Sequence, residues 1–128
     1  MTVSKNASVY SILVGISMIG LWMMLLSTGQ VPELASEPYR IMAHILTEIA
    51  TGLLLAIGGW ALITRRAWGT RLFIFSQGAL FYSLIASPGY YIQLGTMPMV
   101  IMFVVLLVLN VAILGLLLKR PQEFATQQ

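Results

Sequence analysis

The chain has 128 residues, 59% of them hydrophobic and only 9% charged, with a net charge of +3 and a mean hydropathy of +0.90. A soluble domain this small keeps a large exposed fraction and cannot hide so much apolar surface, so a single integral membrane domain is expected. The few basic residues flank apolar runs, a placement that reports membrane topology and not a nucleic-acid face, and the absence of cysteine excludes disulfides, thiolate metal sites and iron–sulfur clusters.

Crossing the hydrocarbon takes about 20 mostly apolar residues in a helix. The sequence predicts four such spans, at roughly 9–27, 41–63, 68–87 and 97–118. Lys5 precedes the first, whose apolar run is longer than a signal-peptide core and carries Trp22, so it reads as a retained span. Its small residues Ser8, Ser11 and Gly15, with Gly52 and Gly59 of the second span, allow two backbones to approach closely. The third span is the most polar, holding Ser76, Gln77 and Ser83, and Pro88–Gly89 is expected to end it. Asn110 of the fourth span lies at the depth of Gln77, where two side-chain amides can bond across helices. The polar stretch after Lys119 reads as frayed.

Short connections force neighbouring helices antiparallel, so the expected fold is all-α, an up-down bundle of four transmembrane helices. Lys5, Arg65, Arg66, Arg71, Lys119 and Arg120 then fall on one side, and only Arg40, beside Glu33 and Glu37, on the other. By the positive-inside rule both termini are expected in the cytoplasm and the protein in the cell inner (plasma) membrane. The Asn6-Ala7-Ser8 sequon would then be cytoplasmic, and no glycan is expected on it.

Two ionisable residues sit inside the second span. His44 and Glu48 are one turn apart on one helical face, and Thr47, Thr51 and Gly52 extend that polar stripe. Counted from Arg40 at about 1.5 Å per residue, His44 lies roughly 6 Å and Glu48 roughly 12 Å below the outer interface. A carboxylate facing lipid at that depth costs at least about 2.5 kcal/mol, so the stripe is expected to face the bundle interior. Ser76, Ala79, Ser83 and Ser87 give the third span a small polar face, and Tyr82 and Ser83 reach the depth of His44. The candidate ligand- or proton-binding residues are therefore His44, Glu48, Thr51, Tyr82 and Ser83.

Length, span number and loop lengths resemble the small four-helix membrane proteins described as DoxX-like. The resemblance lies in topology, implies a four-helix fold, and carries no site residue.

Two functional readings follow. In one, an outward-facing polar site at His44 and Glu48 binds or conducts a small solute, proton or cation. In the other, the protein is a non-catalytic accessory subunit or scaffold, and the polar pair only fixes packing. A third alternative is copper, because His44 with Met99 and Met102 offers soft ligands in the outer half of the bundle. Hydrolytic catalysis lacks a pattern: the chain contains no aspartate and no Gly-rich phosphate loop. The expected partners are the lipid bilayer and either further copies of the chain or a larger membrane complex, with no nucleic acid.

Overall fold

The computed structural model describes residues 2–125 as α1 (Thr2–Ser27), α2 (Glu33–Ser36), α3 (Pro38–Ile63), α4 (Gly69–Gln93), α5 (Met97–Lys119) and a 3-10 helix, Pro121–Phe124. Four of these helices, α1, α3, α4 and α5, are long and apolar enough to cross a membrane. They run up and down in chain order, α1 against α3, α3 against α4, and α4 against α5. Ala7, Leu62, Phe73, Ile113, Leu117 and Phe124 pack together at one end, which also carries Lys5, Arg65, Arg66, Arg71, Lys119 and Arg120. This is the basic end. The opposite end holds the α1–α3 connection with Glu33, Glu37 and Arg40, where Arg40 pairs with Glu37 at 2.9 Å.

Three helices end in the same way. A residue of positive φ, Gly29, Arg65 or Gly95, is followed by a backbone N–H that reaches five residues back, Gln30 to Leu25, Arg66 to Ala61 and Thr96 to Tyr91. This satisfies carbonyls that the last turn leaves without partners, and glycine suits the left-handed position at Gly29 and Gly95.

α1 and α3 touch backbone to backbone. A methyl group on Gly52 would lie 2.8 Å from the Gly15 carbonyl oxygen, and one on Gly59 would lie 2.7 Å from that of Ser8. The small residues foreseen from the sequence thus meet each other across one interface. Close approach contributes dispersion, and a side-chain bond joins it, Ser11 Oγ donating to the Leu55 carbonyl at 2.9 Å.

Two expectations are corrected. α4 does not end at Pro88–Gly89 but continues through them to Gln93, so only Leu94, Gly95 and Thr96 join it to α5. A proline inside a helix forfeits one backbone bond, and membrane helices tolerate that where neighbouring helices pack around the break. Leu84, whose carbonyl loses that bond, is 1% exposed. Nor is the segment after Lys119 frayed through its described residues. Pro121–Phe124 fold back, Phe124 stacks on Phe73 with ring centroids 6.0 Å apart, and the Thr70 hydroxyl donates to the Phe124 carbonyl. One buried aromatic ring, 1% exposed, outweighs the polar residues around it.

Candidate functional site

The bundle is built differently in its two halves. Toward the basic end the interior side chains are buried against one another. Below the glycine contact lies a polar layer in which Gln77 Nε2 donates to Ser11 Oγ at 3.3 Å, and Asn110 Nδ2 donates to Gln77 Oε1 at 2.9 Å and to the Gln77 carbonyl at 3.2 Å. All three side chains are fully buried. The amides of α4 and α5 therefore bond across helices, as their shared depth suggests. Beyond them the Phe73–Phe124 stack closes the interior.

Toward the acidic end the packing opens. Tyr10 of α1 reaches α5, its hydroxyl donating to the Leu106 carbonyl at 3.3 Å. Beyond that bond a cleft of about 400 Å³ lies between α1 and α5, with α3 and α4 as its floor. Leu13, Met18, Leu21, Met99, Met102 and Leu106 supply apolar walls, and Glu48, His44 and Ser87 supply polar groups. A second space of about 710 Å³, a vestibule at the acidic end, is lined by Glu33, Glu37, Arg40 and Gln93. His44 and Tyr90 border both spaces. The Tyr90 hydroxyl donates to Glu33 Oε1 at 2.6 Å, which ties α4 to the α1–α3 connection.

Glu48 lies at the floor of the cleft, 7% exposed. Ser83 Oγ donates to its Oε1 at 2.6 Å. Among the described residues no other hydrogen bond reaches this carboxyl. Ser87, one turn beyond Ser83 on α4, lines the same cleft at 2% exposure, and its hydroxyl has no hydrogen-bond partner. A carboxylate with one donor and a hydroxyl with none is an arrangement with unused hydrogen-bonding capacity.

The candidate residues named from sequence are sorted by this geometry. Glu48 and Ser83 are brought together. His44 borders the cleft but makes no hydrogen bond to Glu48; its ring meets Trp22 edge-on, with centroids 5.6 Å apart. Thr51 is buried, yet its hydroxyl donates to the Thr47 carbonyl of its own helix at 2.8 Å. Tyr82 is corrected: it is 75% exposed and points away from the interior. It precedes Ser83 by one residue, about 100° around the helix, so the two share a depth but not a face. Ser87, Trp22 and Tyr90 are the residues the candidate set lacked. The four-residue step from Ser83 marks Ser87 in the sequence, whereas nothing local marks Trp22, whose place depends on how α1 is rotated.

The methionines of the copper alternative also reach the cleft, Met99 and Met102 on its α5 wall. Among the described residues, no group of three or more His, Asp or Glu side chains is placed to hold a metal ion.

No curated protein and no solved structure matches the chain. Residues 1–128 match the family model described as a domain of unknown function, DUF8058, and the chain belongs to that family.

Proposed function

We propose that this protein is a small-molecule-binding protein of the cell inner membrane, with its basic end in the cytoplasm and Glu48 as the polar anchor of its site. The observation that carries the reading is the Glu48 carboxyl held by Ser83 at the floor of a cleft that Ser87, its buried hydroxyl without a hydrogen-bond partner, also lines. These acceptors suit a ligand that brings hydrogen-bond donors or positive charge. Binding is favoured over conduction because the basic half of the bundle is filled by the Ser11–Gln77–Asn110 layer and the Phe73–Phe124 stack. The orientation rests on six basic residues at one end against Arg40 at the other.

Native mass spectrometry of gently extracted protein tests the reading. Wild type should retain a small-molecule adduct that Glu48→Gln loses while both remain folded. Equal retention, or none in either, removes the binding reading and leaves the accessory-subunit alternative, in which Glu48 and Ser83 only fix helix packing.

The copper alternative has one observation in its favour, the convergence of His44, Met99 and Met102 on one cleft. The space is wide for one ion, since a water molecule takes up only about 30 Å³. Metal analysis after copper(I) loading decides it. Bound copper that disappears in the His44→Ala, Met99→Leu double variant would support it.

A further inference from the structure

We infer that the ligand is an amphiphile with a protonated amine head and an apolar body, which enters from the bilayer sideways between α1 and α5; this inference rests on the Glu48 binding reading. The cleft has about 400 Å³, which falls in the range of roughly 300–1,000 Å³ typical of small-molecule sites and far exceeds the need of a bare cation. Its ionisable groups lie on the α3–α4 floor, whereas the α1 and α5 walls are mainly apolar, with Ser17 the one serine on α1. A ligand matching both surfaces has one polar end and a hydrophobic remainder.

The opening has a direction. Leu13 and Met102 line the cleft from α1 and α5 yet are 60% and 39% exposed, on the flank of the bundle that hydrocarbon would cover. At the acidic end, by contrast, Trp22 packs against His44, and the Tyr90–Glu33 bond crosses from α4 to the connection. A lipid-borne molecule thus meets a mainly apolar mouth before it meets the Glu48 carboxyl.

The head group follows from charge. Glu48 has no basic side chain bonded to it, and Arg40, in the vestibule, is engaged with Glu37. A carboxylate removed from water is stabilised by a cationic hydrogen-bonding partner, and an ammonium group can donate to Glu48.

Trp22 lines the cleft and serves as the reporter. Trp60 and Trp68, the other two tryptophans, lie against each other at the basic end, their rings tilted by 44°, and can be replaced by phenylalanine. In phosphatidylcholine nanodiscs, 11-bromoundecylamine should quench Trp22 saturably, and undecylamine should compete. Glu48→Gln should weaken the binding by at least about tenfold, as expected for loss of a buried charge partner. Ser17→Phe, at an exposed position lining the α1 wall, should weaken it comparably by filling the mouth without disturbing the core. 1-Bromoundecane, which has no head, should quench only in proportion to its concentration in the bilayer. Identical quenching of wild type and both variants would mean partition into lipid alone and would overturn the inference together with the Glu48 reading. Displacement by ethylammonium as effective as by undecylamine would overturn the amphiphile and leave the Glu48 site standing.

Discussion

Ser83 Oγ on α4 lies 2.6 Å from Glu48 Oε1 on α3, and this bond joins the two helices at the floor of the cleft. Three substitutions separate its structural share from its chemical one. Glu48→Gln retains a carbonyl oxygen that can accept from Ser83, so thermal unfolding in detergent should stay close to wild type. Ser83→Ala should cost about 0.6 kcal/mol and at most about 1.7 kcal/mol, the mean and upper limit for such bonds between membrane helices. Glu48→Ala should cost more, because it leaves both a void and an unpaired Ser83 hydroxyl. A Gln variant as unstable as the Ala variant would show that the charge itself holds the fold.

The α1–α3 contact predicts a contrast between two glycines. In Gly52→Ala the new methyl meets the Gly15 carbonyl oxygen at 2.8 Å and Ile19 Cγ1 at 2.9 Å, and backbone cannot yield as a side chain can. Overpacking of this kind should cost about 1–3 kcal/mol. Gly20→Ala meets nothing within 4 Å and should be neutral or stabilising by up to about 1 kcal/mol. Unfolding in mixed SDS micelles measures both, and equal losses would contradict the close approach.

Phe124 makes the basic end a packed one. Phe124→Ala should destabilise the protein by up to about 3–5 kcal/mol, the usual range for a buried aromatic ring. Hydrogen exchange should rise first in residues around Phe73 and Thr70, the ring and hydroxyl that hold the 3-10 helix. Unchanged protection there would mean the segment contributes nothing to the core.

Orientation can be read cleanly because the chain has no cysteine. Cysteines placed singly at Glu37 and Gln93, both exposed at the acidic end, should react with an impermeant thiol reagent in sealed cells. One at Ala67, exposed in the connection beside Arg65 and Arg66, should react only after permeabilisation. The reverse pattern would invert the proposed topology.

The parts legible in the sequence are those set by a short-range or solvent constraint. The four apolar helices follow from hydrocarbon thickness, and the meeting of Ser8, Ser11, Gly15, Gly52 and Gly59 follows from what small residues permit. Glu48 and Ser83 were recoverable as interior residues of adjacent antiparallel helices, although Ser83, expected at the depth of His44, meets Glu48 one turn deeper. Tyr82 was misplaced because depth leaves helix rotation open, and a single residue step turns a side chain to the far face. Pro88 was overread because a local breaker signal yields to packing by neighbouring helices. Phe124 was overlooked because its partner Phe73 lies 51 positions away, beyond any local window.

The placement of Phe124 also has a consequence for biosynthesis. Ribosomes deliver the chain in order, so α1 and α3, with their interlocked backbones, can pair while α4 and α5 are still being made. The phenylalanine that closes the basic end follows α5 and stacks on the start of α4. The basic end of a nascent bundle therefore stays unsealed until α5 has been made. Its closure follows the pairing of the four long helices, acting as a latch on the bundle rather than a guide to it.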